Sequence, residues 1–223
     1  MLYPYSDPHF FHDRICRFTN RPFRSLTGPC GTGMHQTLIR RWNEAVPDDP
    51  GSVVVILGDL FFPGKDQPLP TRREILQILC SLNGRKILLK GNHDDWWLSL
   101  LEKQDLEEHF LRVEDTLLLR HNGVVLGLCH YPVPLAPHLC DVQLCGHIHN
   151  LTNPKNPDVA QFLDARMMFN CSCEILDYRP CPLPEVVRRN NDFYGTRYPK
   201  HMESRLQKVW HAFDDWTPEH LEV

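Results

Sequence analysis

The chain has 223 residues, 42% of them hydrophobic, and a formal net charge of −4. This size fits one globular domain with a terminal extension, and the acidic balance excludes a chain-wide basic surface of the kind that binds nucleic acid. Apolar runs fall short of the roughly 18 residues that a membrane-spanning helix requires. Residues 1–7 lack the basic and apolar regions of a secretory signal, so we expect a cytoplasmic protein without membrane contact.

The first half of the chain alternates between predicted strands and helices. Short apolar runs predict buried strands over residues 2–5, 53–57 and 86–90. Helical spacing of apolar residues predicts helices over residues 34–46, 71–82 and 95–110, the last as one or two helices. Thr71 and Glu74 have the spacing of a capping box at the start of the second helix. Residues 12–33 are predicted to be irregular, with a plain loop at the glycine-rich residues 28–33.

The second half is richer in strands. Asn122-Gly123 is a strong turn signal between strands predicted over residues 116–120 and 124–129. Further strands are predicted over residues 141–145 and 167–175, and helices over residues 184–189 and 201–213. The last helix lies in an extension, residues 191–223, that we expect to pack on the domain rather than to form a dimer contact. This order of elements favours an α/β (α+β) sandwich of two sheets flanked by helices.

Nine cysteines form an odd set without the spacing of a disulfide framework. Most of them lie inside apolar runs, where a free thiol behaves as a small hydrophobic side chain. We therefore predict reduced, structural cysteines. Cys171 and Cys173 lack the second pair of ligands that a zinc site would need.

Short polar patches follow the predicted strands. Their side chains are Asp7, His9, Asp59, Asn92, His93, Asp94, His130, His147 and His149. Ligands bind outside the carboxyl ends of strands in such sheets, so we expect these side chains to converge. Side chains two residues apart on an extended segment point the same way, so Asp7 and His9 can chelate one ion. His147 and His149 can act likewise, or each can serve a different ion.

Carboxylate, amide and imidazole ligands without thiolate favour Mn²⁺, Fe²⁺ or Zn²⁺ over Cu(I) or an iron–sulfur cluster. A pair of such ions hydrolyses phosphate esters. A single Gly-Asp or histidine is usually structural, but the joint occurrence of these patches at strand ends argues against coincidence.

The order Asp-x-His, Gly-Asp, Gly-Asn-His-Asp, His and Gly-His-x-His resembles that of the calcineurin-like metallophosphoesterase superfamily. Fuller stretches resemble its small, single-domain prokaryotic and phage members, namely residues 5–10, 20–23, 57–59, 91–94 and 130–132. The resemblance covers about residues 2–180, and we assign residues 1–190 to this domain. It implies a four-layer sandwich of two facing mixed β-sheets with helices outside.

The resemblance also implies a set of ligands for two divalent metal ions. The first ion would be held by Asp7, His9 and His149. The second ion would be held by Asn92, His130 and His147. Asp59 would bridge the two ions. Mn²⁺ is the favoured metal, with Fe²⁺, Zn²⁺, Ni²⁺ and Co²⁺ as alternatives.

Two further residues would act in catalysis. The resemblance implies that His93 stands near the leaving group, as general acid or to stabilise the charge that builds there, and that Asp94 hydrogen-bonds His93, fixes its tautomer and raises its basicity. A metal-bridging hydroxide would attack the phosphorus in line. The implied function is hydrolysis of phosphodiesters, and of phosphomonoesters as well, in small nucleotide-like substrates.

Three other features bear on substrate binding. Arg21 is a candidate phosphate contact, because a guanidinium matches phosphate geometry; the alternative is a surface arginine before a turn proline. His12 is either a residue that contacts the metal ligands without binding a metal itself, or an exposed side chain. Residues 60–63 are Leu-Phe-Phe-Pro where many relatives carry a charged residue, which puts any substrate contact from this loop in doubt.

Two rival functions stay open. A metal-dependent nuclease on single-stranded DNA or RNA is the nearer one, and its strand-binding surface would use Arg188, Arg189, Tyr198 and Trp210. The acidic balance disfavours it. A non-catalytic scaffold with the same fold is the other, and the complete set of ligands together with His93 disfavours that. The sequence does not predict an oligomeric state.

Overall fold

The computed structural model describes residues 1–23, 32–65, 67–136, 138–150, 161–163, 167–195 and 200–222. Its strands form two four-stranded sheets. The first sheet has the order β1-β2-β3-β4 and every neighbouring pair in it is parallel. Its strands are Leu2–Tyr5, Val53–Ile56, Arg85–Leu89 and Arg112–Glu114.

The second sheet has the order β5-β6-β7-β8. Its strands are Thr116–His121, Val124–Cys129, Val142–Cys145 and Met168–Asn170. Strands β5 and β6 are antiparallel and the other pairs are parallel. Two sheets flanked by helices are therefore confirmed, although only the second sheet is mixed.

Helices cover both sheets. In chain order, α1 to α7 are Ile15–Phe18, Thr32–Ala45, Arg72–Ser81, Asp95–Leu98, Lys103–His109, Leu183–Tyr194 and Lys200–Ala212, and a 3₁₀ helix follows at Pro218–Glu222. The predicted capping box begins α3, since Thr71 Oγ1 accepts from the Glu74 amide and the Glu74 carboxylate accepts from the Thr71 amide. Asn122 and Gly123 both have positive φ, at 47° and 75°, as the tight β5–β6 turn requires.

Several boundaries differ from the prediction. The segment predicted to be irregular contains α1, and residues 28–31 of its glycine-rich loop lie outside the described residues. Strand β8 ends at Asn170, because residues 171–179 turn back towards the strand ends of the first sheet. Helix α6 continues to Tyr194 and ends at Gly195, whose φ of 70° supplies the left-handed cap.

One hydrophobic core connects both sheets with the flanking helices. The four residues of β2 have no exposed surface, as expected for a central parallel strand buried on both faces. The C-terminal segment contributes Leu206, Val209, Phe213 and Trp216 to the same core. Arg112 on β4 donates a hydrogen bond to the backbone carbonyl of Leu221. Residues after α6 therefore pack against the sandwich.

The two sheets meet at the edge where most of their strands end. The Ser6 amide donates to the Cys171 carbonyl at 2.9 Å, and the Cys173 amide donates to the Ser6 carbonyl at 2.8 Å. The eight cysteines in the described ranges are free thiols, and six of them are buried. No helix that the structure describes is long and apolar enough to cross a membrane.

Candidate metal centre

Two triads of ligand side chains lie at the joined edge of the sheets. The first triad is Asp7, His9 and His149, and the second triad is Asp59, His130 and His147. Within each triad, one ligand atom per residue lies within 4.8 Å of the others. The side chains come from loops that follow β1, β2, β6 and β7, so the convergence predicted from strand ends is what the fold produces.

Asp59 lies between the triads. Its Oδ2 atom is 3.6 Å from His9 Nε2 of the first triad and 3.6 Å from His130 Nε2 of the second. Asn92 Oδ1 lies 3.2 Å from the same His130 nitrogen. One carboxylate oxygen thus reaches towards both triads, which is the position that a bridging ligand would occupy.

Buried polar atoms at the first triad have no hydrogen-bond partner among the described residues. These atoms are Asp7 Oδ1 and both ring nitrogens of His9. Buried polar side-chain atoms in folded proteins are nearly always partnered. Asp7 Oδ1 lies 3.9 Å from His9 Nε2 and 3.9 Å from His149 Nε2. One oxygen and two imidazole nitrogens at this spacing fit a divalent cation, so the residues present suit the metal that the sequence predicts.

The histidine tautomers also suit metal binding. His130 Nδ1 lies 2.7 Å from the Leu57 carbonyl and donates to it, which leaves Nε2 as a lone-pair nitrogen directed at the centre. His149 Nδ1 lies 3.2 Å from both carboxylate oxygens of Glu174, and its Nε2 faces Asp7 Oδ1 at 3.9 Å. Fixing one imidazole nitrogen in this way orients the other for a metal.

Burial shifts the pKa values of two ligand side chains in opposite directions. Burial, together with the nearby carboxylates of Asp7 and Asp94, raises the pKa of Asp59 to about 7, whereas His130 opposes the rise. Burial also lowers the pKa of His9 well below its ordinary value, with His149 and Arg21 acting in the same direction. A cation between the triads would counter the shift of Asp59 and would keep His9 neutral, since it stabilises carboxylates and neutral imidazoles.

His93 stands beside the triads without belonging to either. Its amide donates to Asp59 Oδ1 at 2.9 Å, and its half-buried ring stacks on Phe62 with a centroid separation of 3.9 Å and an interplanar angle of 27°. The ring is also 5.7 Å from the His9 ring. Residues 60–63 therefore do contribute to the centre, through the face of Phe62 rather than through a charged group.

The predicted hydrogen bond from Asp94 to His93 is wrong. The Asp94 carboxylate is completely buried and accepts four other hydrogen bonds, two on each oxygen. Its donors are the amides of Asp59, Leu60 and Gly91 and the indole of Trp97, at 2.7 to 3.1 Å. Asp94 thus ties the loop after β2 to the loop after β3, because the turn at residues 91–94 directs it inward and His93 outward.

The model of the calcineurin-like phosphoesterase family matches residues 5–151. The chain belongs to this family. The expected resemblance is therefore confirmed.

Individual relatives add little about activity. Uncharacterized protein MJ1445 of Methanocaldococcus jannaschii is 28% identical over 188 residues, which cover 84% of this chain and 89% of that protein. The protein of unknown function AQ665 from Aquifex aeolicus has 26% identity and a TM-score of 0.58, with 84% of this chain and 98% of that chain covered. YfcE, a phosphoesterase from E. coli, has 20% identity and a TM-score of only 0.33, with 66% and 69% covered.

Arg21 is not a free phosphate contact, and it is not a surface arginine either. Its guanidinium is fully buried and donates to Glu174 at 2.7 and 2.9 Å and to the carbonyls of Asp7 and Pro8 at 2.8 and 2.7 Å. With its donors directed at these protein groups, the guanidinium has no role left in binding substrate. It instead holds the loop that carries Asp7 and His9.

Glu174 is the residue that sequence reasoning missed. Its side chain is 1% exposed and accepts from both Arg21 and His149. Burial alone would raise its pKa, but Arg21 and the hydrogen bond from His149 outweigh burial and lower the pKa to about 2. The available signal was a lone charged residue within a mostly apolar stretch, residues 167–176. Glu174 orients one metal-ligand histidine and neutralises the buried arginine.

His12 is buried beside the first triad, so it is not the exposed side chain of the alternative reading. Its ring is 5.7 Å from the His9 ring and 4.8 Å from the Phe62 ring. Burial lowers the pKa of His12 to about 4, with Arg21 adding to the effect, so the ring is neutral at neutral pH. His12 forms part of the wall around His9.

The ligand backbone is strained. Asp7, His9, Asp59, His147 and His149 have φ between 48° and 71°, in the left-handed region that L-residues seldom adopt. Such a conformation costs roughly 1–2 kcal/mol per residue. The prediction that the first two of these residues lie on an extended segment is therefore wrong, since β1 ends at Tyr5. Strain collected at these ligands is a common property of functional sites.

Glycines make the approach of the loops possible. A Cβ atom on Gly91 would lie 2.3 Å from Asp59 Oδ1, and one on Gly146 would lie 1.9 Å from Ser6 Oγ and 2.7 Å from Asp7 Oδ2. All three distances are far below van der Waals contact. The glycines of the Gly-Asn-His-Asp and Gly-His-x-His motifs are thus required by the packing of the triads.

Gly146→Ala is therefore expected to lower the free energy of unfolding by about 1–3 kcal/mol and to reduce metal binding. The added methyl group would push the His147 amide away from Asp7 Oδ2, to which it donates at 2.9 Å. Denaturant unfolding and metal titration would measure the two effects. Gly33→Ala is the control: on α2, where a Cβ meets nothing within 4 Å, it should stabilise by up to roughly 1 kcal/mol. Equal behaviour of the two variants would contradict the packing argument.

Proposed function

We propose that this phosphoesterase is a two-metal-dependent hydrolase that cleaves phosphodiester bonds, and phosphomonoesters as well, in small nucleotide-like substrates. The observation that carries the proposal is the pair of adjacent triads, with Asp59 of the second triad 3.6 Å from His9 of the first and unpartnered buried atoms at the first triad. Membership of the calcineurin-like phosphoesterase family supports the same reaction class.

The chain offers a complete donor set for two cations. Asp7, His9 and His149 would hold the first. Asn92, His130 and His147 would hold the second. Asp59 would be shared between them. When bound, two divalent cations neutralise phosphate charge and bring the pKa of bound water near neutrality. This donor set suits Mn²⁺, with Fe²⁺, Zn²⁺, Ni²⁺ and Co²⁺ as alternatives.

The residues around the triads prepare the phosphate for displacement of its ester group. His93 is held by the hydrogen bond from its amide to Asp59 and by the face of Phe62, where its ring would protonate the departing oxygen or stabilise the charge that builds there. Its place on the Phe62 side of the centre supports a leaving group on that side. The buried Arg21–Glu174 pair fixes the position of the Asp7 loop and of the His149 ring relative to the second triad.

Metal analysis combined with turnover of a chromogenic phosphodiester tests the proposal. Protein supplied with Mn²⁺ should retain about two metal equivalents per chain and should hydrolyse bis(p-nitrophenyl) phosphate. Chelation should remove both properties, and Mn²⁺ should restore them. A protein that binds no metal and hydrolyses neither this diester nor p-nitrophenyl phosphate would favour the scaffold alternative.

His93→Ala should keep both metal ions and reduce turnover by roughly 10²–10⁴-fold, as expected for a general acid. The loss should be larger for an alkyl leaving group than for p-nitrophenolate, which departs without a proton. His211→Ala, which removes an exposed histidine on α7, is the matched control and should change neither property. Loss of metal from the His93 variant would contradict the division between ligands and acid.

The nuclease alternative gains no support from the surface considered for it. Arg188 pairs with Asp192 at 3.0 Å, and Arg189 donates to Glu185 at 2.9 Å. These pairs offset the positive charge that would attract a phosphate backbone. Tyr198 lies outside the described residues, and Trp210 is half-buried.

A further inference from the structure

Exposed aromatic rings border the candidate metal centre. Within the described ranges, the large aromatic side chains that are more than a third exposed are Phe18, Tyr131 and Phe162, at 72%, 41% and 38%. Two of these three lie next to rings of the centre. Single exposed apolar side chains are ordinary, but rings gathered beside a reactive centre require a reason.

Tyr131 lies against the second triad. Its ring centroid is 4.9 Å from that of His130 and 4.9 Å from that of His147, with edge-to-face angles of 78° and 60°. Its backbone carbonyl accepts a hydrogen bond from the Cys129 thiol at 3.0 Å. The ring is therefore fixed by contacts with two metal-ligand histidines while two-fifths of its surface stays open to solvent.

A row of rings leaves the other side of the centre. His93 stacks on Phe62 at 3.9 Å, Phe62 contacts His12 at 4.8 Å, and His12 meets Phe18 at 6.0 Å. The row starts at the half-buried His93 and ends at the largely exposed Phe18. It begins at the residue proposed to act on the leaving group, whereas Tyr131 contacts rings of the second triad.

Arg21 is not available to bind a phosphate group of the substrate. Its guanidinium lies against the first triad and donates its hydrogen bonds to Glu174 and to backbone carbonyls. A substrate with additional phosphate groups would thus not find this guanidinium, whereas a planar aromatic group would find open rings. Stacking of a base on an aromatic side chain is worth roughly 1–3 kcal/mol.

We propose that Tyr131 forms a nucleobase-stacking subsite, so that the substrates are phosphodiesters that carry a nucleoside on the group retained by the phosphate. The aromatic row from Phe62 to Phe18 borders the leaving group. This inference rests on the proposed phosphohydrolase function and names its substrate class. It makes Tyr131 a specificity-determining residue rather than a catalytic one.

Two esters with the same leaving group test the proposal. Thymidine 5′-(p-nitrophenyl phosphate) and methyl p-nitrophenyl phosphate release the same chromophore and differ only in the retained group. The Mn²⁺-loaded wild-type protein should favour the nucleoside ester by roughly 5- to 150-fold in kcat/KM. Tyr131→Ala should bring this ratio close to one with an unchanged metal content, and Tyr131→Phe should restore it. Phe162→Ala removes an exposed ring elsewhere and should leave the wild-type ratio.

Binding gives a second readout that does not depend on turnover. Thymidine 5′-phosphate should bind the metal-loaded Tyr131→Ala variant roughly 5- to 150-fold more weakly than wild type, whereas affinity for inorganic phosphate should change by less than about twofold. Turnover of both esters at equal rates in the wild type would overturn the subsite and leave the phosphohydrolase function standing. Turnover of neither ester would overturn both.

Discussion

Asp59→Asn is expected to abolish turnover and to remove the metal ions from both triads. The substitution keeps the shape of the side chain but removes the charge of the one carboxylate whose oxygen lies 3.6 Å from a histidine nitrogen of each triad. Partners that merely support a metal ligand are worth roughly 10–100-fold, so loss of a shared ligand should cost at least about 100-fold. Metal analysis after dialysis and turnover of a chromogenic diester measure the two effects.

The matched control is Asp95→Asn. Asp95 is an exposed carboxylate at the start of α4, 3.7 Å from Lys90, and it belongs to neither triad. Its replacement should leave metal content and turnover unchanged. If Asp59→Asn retained two metal equivalents and wild-type turnover, Asp59 would not be a bridging ligand and the two-metal arrangement would have to be abandoned.

Arg21→Met should lower the free energy of unfolding by about 3–5 kcal/mol, because it leaves the Glu174 carboxylate buried without its principal counter-charge. The two side chains are 0% and 1% exposed and lie 2.7 Å apart. Arg41→Met is the control: Arg41 and Asp177 are 30% and 52% exposed, so that pair should be worth less than about 1 kcal/mol. Denaturant unfolding of both variants gives the comparison.

A double variant keeps this prediction testable if Arg21→Met fails to fold. Arg21→Met with Glu174→Leu removes both buried charges and should recover much of the lost stability. Metal affinity should stay roughly 10–100-fold below wild type, because His149 no longer has the carboxylate that orients it. A double variant less stable than Arg21→Met alone would mean that the carboxylate, rather than the charge pair, stabilises this region.

Tertiary structure changed the roles of particular residues rather than the identity of the site. Asp94 adjoins His93 in sequence, yet it braces two loops and does not contact the His93 ring. The face of Phe62 stacks on that ring instead. Phe62 lies in the loop whose contact with substrate the sequence put in doubt. Neighbours in a tight turn point in different directions, and only the packing around the turn decides which of them faces the centre.

The sequence by itself determined seven of the eight strands, all except β4, as well as the hairpin at Asn122-Gly123, the capping box of α3 and the polar residues that converge at the strand ends. These features depend on local rules, namely the period of apolar residues, the φ angles that a turn demands and the satisfaction of helix-end amides. The order of the motifs was sufficient to identify the family.

The tertiary structure alone decided the pairing of Arg21 with Glu174, which are 153 positions apart, and the left-handed backbone of the ligands. Both depend on contacts between distant segments: a buried guanidinium needs a carboxylate that the fold brings to it, and strained φ angles persist only where surrounding packing maintains them. No periodicity or turn signal encodes such contacts, because their energies exist only once the two sheets have met.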